Sequence, residues 1–317
     1  MVKPTVISTF AGGGGSSLGY QWAGYDELLA IDFDNNAVET LKINFPDLIV
    51  WNRDIKTVQS TEILKQCNLK KGELDVLDGS PPCQGFSTAG KRNLNDSRND
   101  LFLEFVRLIE GLQPKVFIME NVSGMIKGGY KGKFNEILQT LKDTGYNVKC
   151  KLMNAMWYEV PQSRERVFFI GVRNDLDIKP SFPKPLNSII TVLKAFEGVQ
   201  NKTFSKDIKG YFQEKIYSKI KQGQNGLNGK YFSTKRLHPN KPSPTLCKST
   251  SWAGFAQTIH PTEDRDISIE EAKRLCSFPD DYKMVGNYSE QWNRLGNAVM
   301  PKMMYHIAKH VKENILI

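Results

Sequence analysis

Residues 78–87, with the sequence DGSPPCQGFS, directly follow an apolar run from Leu74 to Leu77. The apolar run predicts a buried strand, and the two prolines after it can neither continue a central strand nor open a helix with free backbone donors. Cys83 is therefore expected in a rigid turn at the carboxyl end of a strand, where open α/β sheets bind ligands. A buried structural cysteine is the alternative. The glycine, proline, glutamine and serine neighbours indicate a functional loop and favour a catalytic thiol.

The N-terminal part has the order of a cofactor-binding unit. The β-branched run Val6–Phe10 leads into AGGGGSSLG at residues 11–19. A strand, a glycine loop and a helix let the backbone approach a ligand and present free N–H groups to it. The lysine and Ser/Thr pair of a triphosphate-binding loop is absent, which favours a nucleoside-type ligand. A flexible loop is the alternative reading of a glycine run.

Acidic residues follow several of the predicted strands. Asp32 comes directly after Leu28–Ile31, at the distance from the glycine loop that suits a ribose hydroxyl pair. Phe33 is expected to stack on a base, whereas Asp34 serves equally well as a helix N-cap. Asp54 follows the third strand and is expected to accept from an adenine amino group. Glu120 follows a further strand, Val116–Met119.

The alternation of strands and helices predicts an α/β fold with a doubly wound sheet. The pattern breaks after residue 173, where prolines 180, 183 and 185 indicate a linker and glycines and aromatics lie among lysines. We therefore expect a catalytic and cofactor-binding domain at 1–178, a small recognition domain at 179–267, and a segment at 268–317 that returns to the first domain. Arg164 and Arg166 should point to the same side of a strand, since side chains alternate.

The basic charge is confined to one segment. The net charge is +9, and residues 173–241 alone contain 14 Lys or Arg against 5 Asp or Glu. Such a concentration is expected of a polyanion-binding surface, and a solvated lysine-rich face is the alternative.

The five cysteines are scattered without CxxC spacing, so neither a zinc site nor a disulfide framework is predicted and a reducing, cytoplasmic location is expected. His306 and His310 lack the intervening glutamate of zinc proteases, so we expect no metal. No signal peptide and no membrane-spanning run is evident.

Taken together, the motifs resemble the cytosine-C5 DNA methyltransferases of bacterial modification systems, in that family's order and over most of the chain. FAGGGGSSLG (10–19) resembles the S-adenosylmethionine loop and SPPCQGFS (80–87) the nucleophile motif. ENV (120–122), QSRER (162–166), RLHPNKPSPTL (236–246) and GNAVMP (296–301) match the later motifs. The resemblance implies an S-adenosylmethionine-dependent methyltransferase fold with a mixed sheet.

The resemblance also implies roles for individual residues. Cys83 would add to carbon 6 of a flipped-out cytosine, Glu120 would protonate ring nitrogen 3, Arg166 would bind the ring carbonyl, and Arg164 would support the pocket. The residues expected to contact S-adenosylmethionine are Phe10, Ala11, Gly12, Gly13, Gly14, Ser16, Leu18, Asp32, Phe33, Asp54, Ile55, Ser80, Pro81, Asn297, Ala298 and Val299. Those expected to contact double-stranded DNA are Gln84, Ser87, Lys91, Arg92, Arg98, Gln162 and Arg236.

The chain departs from the family pattern at Ser8-Thr9, where many members have an acidic residue, so Ser8 would have to help hold the methionine part of the cofactor. An RNA cytosine methyltransferase of the same fold is the first alternative, but its second cysteine beside the acid motif and its Cys-Phe-Thr signature are both absent. A silent DNA-binding relative is the second, and intact Cys83, Glu120 and Arg166 argue against it. The resemblance further implies a monomer, with a restriction endonuclease acting separately or with none.

Overall fold

The chain folds into two compact units that alternate along the sequence. The computed structural model describes residues 3–82, 100–126, 131–200, 202–204, 215–227, 230–248 and 258–316. The first unit comprises Met1–Asn154, Glu165–Lys184 and Met304–Ile317, and the second comprises Ala155–Arg164 and Pro185–Met303.

A seven-stranded mixed sheet forms the centre of the first unit. Its order is β3-β2-β1-β4-β5-β8-β6, in which β1 to β5 run parallel and β8 runs antiparallel to both β5 and β6. The strands are β1 (Thr5–Thr9), β2 (Asp26–Asp32), β3 (Val50–Asn52), β4 (Val76–Gly79), β5 (Val116–Val122), β6 (Tyr146–Asn154) and β8 (Glu165–Arg173).

Helices cover both faces of this sheet. Residues of α3, α4 and α5 pack with Ile7, Leu77 and Phe117 in one apolar cluster. The opposite face meets α1 and α9, where Tyr25 Oη donates to the Ala308 carbonyl at 2.9 Å. The helices of this unit are α1 (Gly15–Trp22), α2 (Asn35–Asn44), α3 (Ser60–Gln66), α4 (Asp100–Leu112), α5 (Lys131–Asp143) and α9 (Pro301–Asn314), whose first turn lies in the second unit.

The second unit contains short elements. Its strands are β7 (Gln162–Ser163), β9 (Asn225–Leu227), β10 (Lys230–Arg236), β11 (Ser243–Pro244) and β12 (Thr258–Ile259), and its helices are α6 (Val192–Phe196), α7 (Ile269–Leu275) and α8 (Tyr288–Asn297). The strands form a three-stranded sheet, β12-β10-β9, and a two-stranded sheet, β11-β7. Ser268 and Asn287 begin α7 and α8 with capping boxes, which satisfy backbone donors at both helix starts.

The order of the central sheet reverses direction at one place, the switch point. The chain continues from β1 to β2, its neighbour on one side, whereas the neighbour of β1 on its other side is β4. The carboxyl ends of β1 and β4 therefore flank the switch point. Ligands of open α/β sheets bind in the crevice at this point. The glycine loop follows β1, and the turn that leads to Cys83 follows β4.

The close packing of β4 explains why its last residue is glycine. A Cβ added to Gly79 would lie 2.5 Å from the Phe105 ring and 2.6 Å from Thr9 Oγ1. Gly79 is therefore needed as the last residue of the strand, because Phe105 of α4 packs directly against it.

The mixed α/β sheet confirms the predicted fold class, but two expectations differ in detail. Residues 155–164 and 268–303 belong to the second unit, so the first unit takes back only residues 304–317 after residue 184. Arg164 precedes β8 and lies in the second unit, whereas Arg166 lies within β8 in the first. The two arginines are therefore not alternate residues of one strand, and the expectation that their side chains point to the same side has no basis in strand geometry. No helix in the described part of the chain is both long and apolar enough to cross a bilayer.

Candidate active site

The glycine loop has an unusual backbone that brings its N–H groups to the end of the sheet. Phe10 has φ +53°, a left-handed conformation that costs energy in a residue with a side chain, and Gly12 and Gly14 follow with φ +55° and +82°. A Cβ on Gly12 would meet no atom within 4 Å, so the loop borders open space there. Gly13 belongs to the same turn, and Ala11 N–H donates to the Ile31 carbonyl at 3.1 Å.

Asp32 fixes this loop from the neighbouring strand. One carboxylate oxygen accepts from Gly12 N–H at 2.8 Å, and the other accepts from Asp34 N–H at 2.9 Å. Asp34 itself caps α2 by accepting from Ala37 N–H at 3.0 Å, which is the alternative that the sequence left open for it. Phe33 stands between the two acids with 76% of its surface exposed. Its ring is thus available to stack on a flat group.

The remaining cofactor candidates of the first unit divide into exposed and buried groups. Asp54 is exposed and accepts from Lys56 N–H at 3.0 Å, so it also starts a short 3₁₀ helix. Ser16, Leu18 and Ile55 are buried by the protein itself. Their side chains belong to the protein interior next to the glycine loop and the end of the third strand.

Ser8 is the residue before the last of β1, and its side chain is fully buried. A role for Ser8 in holding the methionine part of a cofactor stays a prediction. The sequence showed that an acid was missing at this position but could not show which way the side chain points.

Two hydrogen bonds hold the start of the turn that leads to Cys83. Ser80 Oγ donates to the Phe10 carbonyl at 3.2 Å, and Asn121 Nδ2 donates to the Pro81 carbonyl at 3.1 Å. Asn121 is buried and directly follows Glu120 on β5. In the sequence Asn121 stands out only as part of the ENV motif, and its position near the end of a strand is the signal for a hydrogen bond to a neighbouring loop. The predicted residues Cys83, Gln84, Ser87, Lys91, Arg92 and Arg98 lie outside the described residues.

Glu120 and Arg166 form a direct ion pair at the same end of the sheet. Arg166 Nε lies 2.7 Å from Glu120 Oε1, and the side chains are 15% and 12% exposed. They come together because β5 and β8 run antiparallel, with Val122 opposite Arg166. The structure therefore brings together the predicted acid and the predicted carbonyl-binding arginine, next to the residue that holds Pro81.

In the second unit, the side chain of Arg164 is buried and donates hydrogen bonds to two backbone carbonyls. Its two terminal nitrogens donate to the Leu246 carbonyl at 3.2 Å and the Gly296 carbonyl at 2.9 Å. Arg164 thus connects the segment before β8 with the ends of two other motifs. Next to Gly296, Asn297 is exposed, Ala298 is buried and Val299 is half-buried.

Two residues that we expected to contact DNA have other partners. Gln162 is fully buried, where its Nε2 donates to the Leu275 carbonyl and its Oε1 accepts from Leu246 N–H, both at 3.3 Å. Its side chain is therefore part of the interior and does not reach a nucleic acid.

Arg236 likewise has a structural role, and its expected contact with DNA requires correction. It is 7% exposed, and all three of its nitrogens donate to protein oxygens. The acceptors are the carbonyls of Ile220, His260, Glu263 and Tyr217, and a carboxylate oxygen of Asp264. Five N–H donors are the full capacity of a guanidinium, so none remains for a phosphate.

No group of three or more His, Cys, Asp or Glu able to hold a metal ion occurs among the residues that the structure describes.

Comparisons with known proteins agree with this geometry. The family model of C-5 cytosine-specific DNA methylases matches residues 4–313. The type II methyltransferase M1.HphI of Haemophilus parahaemolyticus is 33% identical over 97% of this chain and 86% of its own length. The type II methyltransferase M.FnuDI of Fusobacterium nucleatum is 33% identical over 98% of this chain and 94% of its own length.

Solved structures show the same architecture. A prophage-encoded protein of E. coli, described as a DNA modification methyltransferase, superimposes with a TM-score of 0.82 at 28% identity. The alignment covers 99% of this chain and 100% of that one. The DNMT2 protein of Spodoptera frugiperda has a TM-score of 0.72 at 18% identity, over 99% of this chain and 100% of its own, and shows the fold alone.

Proposed function

Because the chain belongs to the C-5 cytosine-specific DNA methylase family, and is therefore an enzyme that methylates carbon 5 of cytosine in DNA, we propose that it does so with S-adenosylmethionine and a covalent adduct of Cys83. The observation that carries the proposal is the Glu120–Arg166 pair, which lies at the end of β5 beside the residue that holds the Cys83 turn.

The loop after β1 fits the proposed cofactor. The carboxylate of Asp32 lies at the end of β2 and accepts from Gly12 N–H of the loop, and a carboxylate is a suitable acceptor for ribose hydroxyls. Phe33 offers an exposed ring to the adenine, and Asp54 is exposed at the end of the next strand. When bound, S-adenosylmethionine supplies an electrophilic methyl group on its sulfonium.

Cys83 supplies the nucleophile because carbon 5 of cytosine does not take a methyl group unaided. Its thiolate adds to carbon 6, which makes carbon 5 enamine-like. Glu120 binds the exocyclic amine and gives a proton to ring nitrogen 3, so the adduct carries no ring anion. After methyl transfer a base removes the proton at carbon 5, the carbon 6–sulfur bond breaks, the Cys83 thiolate leaves, and ring nitrogen 3 returns its proton to Glu120.

Arg166 has two roles in this scheme. Its Nε is paired with Glu120, and its Nη1 donates to the Glu165 carbonyl at 2.8 Å, so the guanidinium is held in place. The same guanidinium binds the ring carbonyl of the cytosine and keeps the base oriented toward Cys83. Arg164 supports the proposed pocket indirectly, because its bonds to the Leu246 and Gly296 carbonyls hold the end of the motif 236–246 and the start of the motif 296–301.

The basic segment 173–241, most of which lies in the second unit, is proposed to recognise double-stranded DNA. A target base has to leave the stack before Cys83 can reach it, which costs a few kcal/mol that phosphate contacts help to offset. The proposal includes a monomeric enzyme in the bacterial cytoplasm, with a cognate restriction endonuclease acting separately, in line with the type II methyltransferases among its relatives.

Covalent trapping tests the proposal. A duplex with 5-fluorocytosine cannot lose its substituent at carbon 5, so the wild-type protein should form a persistent adduct in the presence of S-adenosylmethionine. The Cys83→Ser variant should form none. The Cys247→Ser variant is the matched control, because Cys247 is an exposed thiol of the second unit with no assigned role, and it should trap at the wild-type rate. Adduct formation by Cys83→Ser at the wild-type level would overturn the assignment of the nucleophile.

A further inference from the structure

An acid that the proposed chemistry does not use lies inside the sheet between its two functional loops. Asp78 is only 4% exposed, in the four-residue strand β4. In the parallel ladder it lies beside Ser8 of β1 on one side and Ile118 of β5 on the other. Burial of an acid at such a position is costly unless hydrogen bonds compensate, so its partners indicate what it is there for.

Those partners belong to the start of α1, directly after the glycine loop. Tyr20 Oη donates to Asp78 Oδ1 at 3.2 Å, and the Ser16 hydroxyl also hydrogen-bonds to this carboxyl. Ser16 and Tyr20 are four residues apart and so lie on one face of the helix. Tyr20 is fully buried and packs edge-on against Tyr25, with ring centroids 5.1 Å apart. The acid therefore has two points of attachment on the helix that carries the glycine loop.

The backbone of the same residue is tied to the strand before that loop. Thr9 Oγ1 donates to the Asp78 carbonyl at 2.9 Å. Two residues further on, Ser80 Oγ donates to the Phe10 carbonyl. The strand before the glycine loop is thus hydrogen-bonded to Asp78 and Ser80, and the helix after the loop is hydrogen-bonded to Asp78.

We propose that Asp78 is a positioning residue for methyl transfer, which ties the start of α1, and with it the glycine loop, to the strand that ends at the Cys83 turn. The inference rests on the proposed assignment of that loop to the cofactor and of Cys83 to the base. Since the donor and the nucleophile must meet on one ring, an error of about 1 Å in their relative placement can cost on the order of a hundredfold in rate.

The surroundings of Asp78 favour its neutral form. Burial raises the pKa of Asp78 to about 8, with hydrogen bonds from Ser16 and Tyr20 opposing the shift and the acids Glu27 of β2 and Glu120 of β5 adding to it. Burial also raises the pKa of Tyr20, so this hydroxyl stays a donor. Asp78 is therefore protonated at pH 7, and asparagine resembles it in shape and charge.

Four variants test the proposal: Asp78→Asn, Asp78→Ala, Tyr20→Phe and Tyr25→Phe. The last is the matched control, because it removes an equally buried hydroxyl that donates to the Ala308 carbonyl and not to Asp78. Three measurements apply to each: calorimetric affinity for S-adenosylhomocysteine, affinity for duplex without cofactor, and the single-turnover rate of trapping on a 5-fluorocytosine duplex.

At pH 7 we expect Asp78→Asn and Tyr25→Phe to stay within about threefold of the wild type in all three measurements. Asp78→Ala should lose roughly tenfold or more in cofactor affinity and in trapping rate, because the loop and the turn are no longer tied together. Tyr20→Phe should fall between them, and duplex affinity should be unchanged throughout. If Asp78→Ala does not fold, the comparison of Tyr20→Phe with Tyr25→Phe decides, and equal behaviour of that pair overturns the proposal.

The pH profile separates positioning from a merely structural role. As the pH rises through about 8, Asp78 of the wild type ionises beside Glu27 and Glu120, so the trapping rate of the wild type should fall relative to that of Asp78→Asn. A constant ratio from pH 6.5 to 9 would overturn the role of the neutral carboxyl. Failure of the wild type itself to bind S-adenosylhomocysteine or to form the adduct would count against the proposed function, not against this inference alone.

Discussion

At the scale of single residues, Asp32 shows how one side chain can serve the fold and a ligand together. Its two oxygens hold Gly12 and Asp34, so the carboxylate fixes both the glycine loop and the start of α2. The same carboxylate faces the position proposed for the ribose. A substitution here has to be compared with one that disturbs the neighbouring helix alone.

Asp32→Ala should weaken binding of S-adenosylhomocysteine by about 1–3 kcal/mol, the usual cost of losing hydrogen bonds to a charged group. Binding of duplex without cofactor should barely change. The control is Asp34→Ala, which removes the N-cap of α2 and should lower stability by about 1 kcal/mol without a comparable loss of cofactor affinity. Calorimetry on the two variants distinguishes them, and equal cofactor affinities would contradict the ribose role of Asp32.

At this scale the sequence indicated two polar residues that lie together near strand ends, but it did not indicate which polar residues are buried. Glu120 and Arg166 were identified from motifs, and they do form a pair. Gln162 and Arg236 came from equally clear motifs but lie in the interior. A motif shows which side chains are needed, but it does not show whether a guanidinium donates to phosphates or to carbonyls, because that depends on contacts between distant segments.

At the scale of secondary structure elements, the end of β4 packs directly against helix α4. Phe105 of α4 lies where a side chain of residue 79 would be. Gly79→Ala should therefore force the ring or the helix to move, which costs about 1–3 kcal/mol for an overpacked core.

The double variant Gly79→Ala, Phe105→Leu separates this clash from other effects. The smaller side chain gives the new methyl group space, so the double variant should be more stable than the sum of the two single changes predicts. Thermal melting of all four proteins measures the coupling. Simple additivity would show that Phe105 is not what makes glycine necessary at this position.

The elements of the first unit could be predicted because their apolar patterns are long and regular. The apolar residues between positions 101 and 112 recur at helical spacing and lie in the helix Asp100–Leu112, and the strand expected at Val116–Met119 is found at Val116–Val122. The two-residue strands β7 and β11 could not be predicted, since they pair with each other across 80 residues of sequence and have no periodicity of their own.

At the scale of the whole molecule, the positive charge is concentrated in one segment of the chain. All of the excess positive charge lies in residues 173–241, and Lys215, Lys219 and Lys221 of this segment have exposed side chains in the second unit. The proposed catalytic part has no net attraction for DNA of its own. Non-specific affinity should therefore depend on the basic segment.

Replacement of Lys215, Lys219 and Lys221 by glutamine should flatten the plot of log affinity against log salt concentration by up to about 0.9 per lost phosphate contact. The methylated sequence should stay the same, because phosphate contacts position a protein and do not specify bases. Filter binding across a salt series and bisulfite sequencing measure the two properties.

The matched control replaces Lys65, Lys70 and Lys71, three exposed lysines of the first unit, by glutamine. This variant loses the same formal charge as the first. If DNA lies along the basic segment, its plot of log affinity against log salt concentration should keep the slope of the wild type. Equal slopes for the two triple variants would show that only net charge matters, and an unchanged slope for the first would place those lysines away from the DNA.

The alternation of the two units along the chain also constrains how target specificity can be transferred between enzymes of this kind. The chain passes from one unit to the other after residues 154, 164, 184 and 303. A chimaera that exchanges only the long segment 185–303 would keep the host's residues 155–164, with Gln162 and Ser163 facing a foreign partner in place of Ser243 and Pro244. Exchange of both segments at once should therefore preserve this pairing, whereas a chimaera with residues 185–303 alone should be less stable.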